Sequence, residues 1–264
     1  MKVNGAELHV EDTGGAGPAV GFSHGLLWSA AMWRFPVAAF RDRYRCIAWD
    51  HRGQGKSEVT ASGYDMETLT DDAAALIGQL GAAPVHFVGL SMGGFVGMRL
   101  AARRPELVRS LALIETAADE EPLFNRPKYA AMAAMAQVMG MRPFVPKVMS
   151  IMFGRSFRED PARAGLREGL VGELLANDTT GMRRAVGGVI WRKPVSPAEL
   201  SRIRAPTLVI SGDEDTAVVS ARSRRTAERI PGAKFVSIPR AGHSASLEEP
   251  EAVNRALEGF WKSL

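Results

Sequence analysis

Val85-His86-Phe87-Val88-Gly89-Leu90-Ser91-Met92-Gly93-Gly94 is the stretch that decides the fold. Its first six residues are almost continuously apolar, as expected of a strand covered by helices on both faces. From Ser91 the apolar spacing turns helical and runs to Arg103. At the junction stands Gly89-Leu90-Ser91-Met92-Gly93, a G-x-S-x-G. A serine on so sharp a strand-to-helix turn is held in a strained backbone, and the flanking glycines leave room for it. The hydroxyl is thereby presented outward, and the N–H that follows it lies at a helix start, aimed at a developing negative charge. Ser91 is a candidate nucleophile; the plainer reading is a glycine-rich turn.

A serine hydroxyl needs a base. Among the five histidines, His9 and His86 fall in or beside predicted strands and read as structural. His24 and His51 follow strands within Ser23-His24-Gly25-Leu26 and Trp49-Asp50-His51. His243, in Arg240-Ala241-Gly242-His243-Ser244, lies on a loop after the last strand, where it can meet the turn at Ser91. The base in turn needs a carboxylate to fix its tautomer. Gly212-Asp213-Glu214-Asp215 offers three acids, which alone would read as a solvated turn. Their place between Ser91 and His243 completes a Ser, acid, His order.

Working outward, the strand candidates are Ala6–Val10, Pro18–Ser23, Tyr44–Trp49, Val85–Leu90, Val108–Ile114, Thr207–Ser211 and Lys234–Ile238. Helical patterns at Met66–Leu80, Ser91–Arg103, Ser220–Ile230 and Glu251–Lys262 separate most of them, which predicts a parallel sheet with crossover helices. The alternation stops after Glu115 and resumes near Pro206. Residues 117–198 hold no convincing strand, but carry seven of the twelve methionines and nine arginines. They read as several short helices forming a lid over the strand ends, where open α/β sheets bind ligands. Its methionines either pack on neighbouring helices or line a pliable apolar pocket. One inward arginine would suit a substrate carboxylate.

The 264 residues suit one large α/β domain, and 46% hydrophobic with 23% charged residues excludes a disordered or fibrous chain. A net charge of +4 without a basic–aromatic stripe gives no nucleic-acid partner. The start lacks a signal-peptide pattern and no run of 18 apolar residues occurs, so a cytoplasmic protein with no membrane partner is expected. One cysteine, Cys46, in a predicted strand, and no H-x-x-x-H pair leave no metal site, and no cofactor is expected. Gly53-Gln54-Gly55-Lys56-Ser57 ends like a phosphate-binding loop, but Asp50 stands where its first glycine would be; it reads as a tight turn. A homo-oligomer is left open.

His24-Gly25, Asp50-His51-Arg52-Gly53-Gln54-Gly55-Lys56-Ser57, Gly89–Gly93, Gly212–Asp215 and Gly242-His243 together resemble the α/β-hydrolase fold family over essentially the whole chain. The resemblance is to small bacterial carboxylesterases, 3-oxoadipate enol-lactone hydrolases and cofactor-free haloperoxidase-type perhydrolases. It implies a mostly parallel central sheet flanked by helices, with a helical cap (117–198) inserted after the sixth core strand of a core made of 1–116 and 199–264. It also implies the triad Ser91, Asp215 and His243, with Asp215 preferred over Asp213 by the Gly-x-x-Asp turn and Glu115 as an outlying alternative. The oxyanion hole would be the N–H groups of Leu26 and Met92, whose side chains should then be replaceable; His24 would hold that loop in place. A serine nucleophile implies acyl transfer on an ester or lactone, not the epoxide and haloalkane chemistry that uses aspartate. Carbon–carbon bond hydrolases, perhydrolases and a non-catalytic ligand receptor are the other classes on this scaffold. Trp28, Met32, Trp33, Met135, Met139 and Trp191 are the expected pocket residues for a small-molecule substrate.

Overall fold

The computed structural model describes residues 1–264. Strands β1 (Lys2–Val3) and β2 (Ala6–Glu7) form a short antiparallel ribbon. β3 (Val10–Asp12), β4 (Ala19–Ser23), β5 (Arg45–Trp49), β6 (Val85–Leu90), β7 (Val108–Ile114), β8 (Thr207–Gly212) and β9 (Lys234–Ile238) build one sheet, in the order β3-β5-β4-β6-β7-β8-β9. Only β3 runs antiparallel to its neighbour. The single strand expected over Ala6–Val10 is divided. Asn4 and Gly5 take positive φ and fold Ala6–Glu7 back on Lys2–Val3, and a separate edge strand starts at Val10.

Helices α1 (Arg34–Phe40), α2 (Met66–Gln79) and α3 (Met92–Arg103) precede β7. α4 (Arg126–Met139), α5 (Val145–Met152), α6 (Arg155–Glu159), α7 (Ala164–Leu175), α8 (Thr179–Ile190) and α9 (Pro197–Leu200) follow it, and α10 (Ser220–Arg229), α11 (Ala245–Glu248) and α12 (Pro250–Lys262) complete the chain. The helical segment thus enters after the fifth strand of the large sheet, because the N-terminal ribbon is not part of that sheet. No helix is long and apolar enough to cross a membrane. α2 starts where it does because the Asp65 carboxylate accepts the N–H groups of Glu67 and Thr68 at the helix N-terminus.

The strands alternate between two cores. Phe87, Leu111, Leu113 and Val209 pack with α2 and α3 on one face. Val88, Leu90, Ala112, Ile114, Leu208 and Ile210 pack with α12 on the other. Period-two alternation with both faces apolar is why β6 and β7 read as continuous hydrophobic runs. The second core also takes in Val148, Met152, Phe153, Phe157, Leu170, Leu174 and Met182, so the inserted helices are packed into the body of the molecule. Cys46 is buried in β5 as core packing, and burial pushes its thiol up to about 12, which leaves it inert.

Candidate active site

Ser91 sits between β6 and α3 with φ 50° and ψ −108°, a conformation that L residues rarely adopt. Its N–H donates to Ile114 O at 2.8 Å, and Thr116 Oγ1 donates to Ser91 O at 2.9 Å, so the turn is pinned to β7. The glycines are there for space. A Cβ on Gly89 would overlap the Gly93 carbonyl, and one on Gly93 would overlap the Ser23 carbonyl.

Three side chains meet in one relay. His243 Nε2 lies 2.9 Å from Ser91 Oγ, and His243 Nδ1 lies 2.8 Å from Asp215 Oδ2. The other Asp215 oxygen accepts the N–H groups of Ala217 and Val218 at 2.7 and 2.9 Å, which orients the carboxylate toward the ring. Burial by itself would suppress the imidazolium, but the charge and hydrogen bond of Asp215 outweigh it and raise the His243 pKa. Burial likewise disfavours the Asp215 anion, yet His243 outweighs it and lowers the Asp215 pKa. Asp215 is thus held ionised, and it favours the imidazolium that proton transfer from Ser91 would create.

The three adjacent acids have three different jobs. Asp213 Oδ1 accepts the Arg240 N–H at 2.7 Å, and Glu214 accepts the Ser156 N–H and hydroxyl at 2.7 and 2.6 Å. Only Asp215 reaches the histidine. Glu115 is buried after β7 and accepts the Gly212 N–H at 2.6 Å. Burial and then the Asp215 charge push its carboxyl well above the ordinary range, which favours its neutral form beside Asp215.

The loop after β4 borders the same cavity as Ser91 and leaves one amide free. Gly25 N–H points to Met32 Sδ at 3.4 Å, and Leu27 N–H is held by Gln54 Oε1 at 2.7 Å. The Leu26 N–H between them has no protein acceptor. Met92 is the first residue of α3, among the amides that lack an intrahelical partner. Leu27 itself has φ 70°. His24 braces this loop: its Nδ1–H donates to Gly25 O at 2.7 Å while Nε2 accepts the His51 N–H at 2.9 Å. Burial lowers the pKa of both His24 and His51, which keeps the pair neutral. The turn Asp50–Ser57 completes the brace, since Asp50 accepts the N–H groups of Ala30 and Lys56 at 2.6 and 2.7 Å. Gln54→Ala should therefore lower kcat by about tenfold to a hundredfold with the fold retained, by letting the loop shift. Steady-state kinetics with a matched thermal melt checks it.

A cavity opens beside Ser91 and His243; 17 of its 23 lining residues are hydrophobic. The inserted helices supply most of its wall, including Met132, Met141, Met152 and Met182. None of the six expected pocket side chains lines it. Trp28, Met32 and Trp33 are core residues: Trp33 packs 5.2 Å from Phe22, Trp28 packs edge-on to Phe153 at 5.7 Å, and Met32 is fully buried. On α4 the inward stripe is Tyr129, Met132, Ala133 and Ala136, which leaves Met135 47% and Met139 63% exposed. Trp191 caps the end of α8, 63% exposed beneath the Arg126 guanidinium. The Met92 side chain is fully buried in the core beneath α3, so it is not freely replaceable, and the Leu26 side chain lines the cavity. Two of the nine arginines reach the cavity. Arg192 is stacked 4.0 Å over Phe95 and paired with Glu121 at 3.4 Å, whereas Arg183 is exposed and has no protein partner.

Known proteins share this architecture throughout. 3-Oxoadipate enol-lactonase 2 of Acinetobacter baylyi is 29% identical over 245 residues, 93% of this chain and 89% of its own. The crystal structure of the enol-lactonase from Burkholderia xenovorans LB400 superposes with a TM-score of 0.90 at 30% identity, covering 98% of both chains. A thermophilic esterase from Thermogutta terrifontis gives 0.89 at 29% identity, covering 98% of this chain and 94% of its own. The strand order, the serine turn after β6 and the placement of acid and histidine after β8 and β9 are accompanied by a match of residues 18–250 to the model of the alpha/beta hydrolase fold, and the chain belongs to that family.

Proposed function

We propose that this chain is a serine hydrolase that cleaves a small carboxylic ester or lactone through an acyl-enzyme. The observation that carries the reading is the unbroken Asp215–His243–Ser91 hydrogen-bond relay at an apolar cavity. In this reading Ser91 Oγ attacks the carbonyl carbon as His243 Nε2 takes its proton, and Asp215 holds the imidazolium that results. The Leu26 and Met92 N–H groups receive the developing oxyanion, each worth on the order of 10²–10³ in turnover. The proton on His243 then passes to the leaving alkoxide, and a water deprotonated by His243 releases the acid and restores Ser91. No step needs a cofactor.

Residues 117–198 act in this proposal as a cap on a core of 1–116 and 199–264, supported by the wall that α4, α5 and α8 give the cavity. That wall favours an alkyl or aryl acyl group. A lactone bearing a carboxylate is the second reading; Arg183 on the cavity and the enol-lactonase names of two relatives favour it.

Turnover of aryl esters of graded acyl length, a carboxylate-bearing enol-lactone, a vinylogous diketone acid and an ester with peroxide tests the assignment. Medium acyl esters should be turned over faster than acetate, and the enol-lactone should lose rate in Arg183→Ala. Preference for the diketone acid, or for peroxide as acceptor, would move the chain to another reaction class.

A further inference from the structure

Glu248, the last residue of α11, is buried, and the relay described above leaves it without a role. Its carboxylate accepts three backbone amides from two separate parts of the chain. Oε1 takes the Ser244 N–H at 2.9 Å, and Oε2 takes those of Gly242 at 2.9 Å and Gly154 at 2.8 Å. Gly242 and Ser244 bracket His243, while Gly154 precedes α6 in the inserted helices. Glu214, beside Asp215, holds the same turn from the other side through Ser156. The surfaces touch: a Cβ on Gly154 would overlap Glu214 and crowd the Gly242 amide, and one on Gly242 would overlap Gly154.

We propose that Glu248 is a positioning residue for the reaction, locking the His243 loop to the Gly154 turn so that the imidazole is aligned on Ser91 only while that turn is docked. The inference rests on the acyl-transfer reading of Ser91 and His243. A carboxylate suits the task because it accepts at both oxygens, whereas an amide has one acceptor oxygen and would turn donors toward N–H groups. Titratable groups face it from several elements. Asp215 and His243 act on it from the β8 and β9 loops, the buried Glu115 after β7 also feels its charge, Glu214 shares the turn, and Arg163 donates to the Glu248 carbonyl at 2.8 Å, not to its carboxylate. Burial first, then the Asp215 charge, push the Glu248 carboxyl up to about 7 against the pull of the three amides. As the pH falls through neutrality, one oxygen gains a proton and can no longer serve its N–H in the same way, and the lock loosens.

The test compares wild type, Glu248→Gln and Ser91→Ala on a neutral aryl ester across the neutral pH range. Glu248→Gln should lower kcat by about 10- to 100-fold at little change in KM; the deficit should be largest on the alkaline side, where the wild-type carboxylate is ionised, and should shrink as the pH falls, while the limb set by His243 remains in both enzymes. A folded Glu248→Gln enzyme with wild-type kcat and profile overturns the proposal. Full activity in Ser91→Ala would instead overturn the acyl-transfer reading, so the two failures are distinct. Should Glu248→Gln not fold, amide hydrogen exchange of the wild-type protein decides. Protection of Gly154, Gly242 and Ser244 should fall together as the pH drops, after correction for intrinsic exchange; independent behaviour of Gly154 overturns the proposal.

Discussion

Ser91→Ala is expected to lower turnover of any accepted ester by on the order of 10⁴ or more, with an unchanged melting temperature. The loss should be large because the hydroxyl that His243 Nε2 contacts at 2.9 Å is the only nucleophile in the relay. The turn should keep its shape, because main-chain bonds to Ile114 and from Thr116 hold it and only His243 Nε2, at the cavity, loses a partner. Some rate above water should persist, since the Leu26 and Met92 amides and the apolar cavity remain. Retention of even a tenth of the wild-type rate would falsify the assignment of Ser91.

The second large effect separates two neighbouring acids. Asp215→Asn should cost about 10⁴ in kcat, because an amide in place of Oδ2 either repels the Nδ1–H of His243 or imposes the other tautomer on the ring. Asp213→Asn should stay within a few fold of wild type, since an asparagine oxygen still accepts the Arg240 N–H. The pH profile adds a sign. His243 must be neutral to act as base, so kcat/KM rises with pH through a value that Asp215 holds above that of an ordinary imidazole. Asp215→Asn should move that limb to lower pH. A crippled Asp213→Asn beside an active Asp215→Asn would transfer the role to the other acid.

The strands, the serine turn and the relay residues were legible in the chain because their signals are local or ordered. β6, β7 and β9 have the bounds the apolar runs predict. Gly-x-Ser-x-Gly states a backbone conformation directly, and Gly-Asp-Glu-Asp lies where its order requires. The cavity wall was not legible. Met132 and Met135 are chemically identical and one turn apart, and only the docking of α4 sends the first inward and leaves the second on the surface. Trp28 and Trp33 follow the Gly25–Leu27 loop in sequence but turn into the sheet core. Gln54 stood inside a recognised turn, so its spacing was a usable signal for loop support. Glu214 and Glu248 left none, since each binds main-chain amides of a distant segment, and such amides have no sequence signature.

The second core, which the sheet shares with the inserted helices, bears on how freely this protein could exchange parts with its relatives. Phe153, Phe157, Leu170 and Leu174 lie in the same packed cluster as Trp28 and Leu90, with Trp28 set edge-on against Phe153. The segment is therefore no detachable module hung on two hinges. A chimera that grafts residues 117–198 from another family member would bring its own aromatic contour against this sheet, leaving voids or collisions at the seam that cost about 1–3 kcal/mol each. A graft that also carries across the partners of Phe153 and Phe157 would keep the seam closed, which makes the natural unit of exchange a wedge reaching down to the sheet.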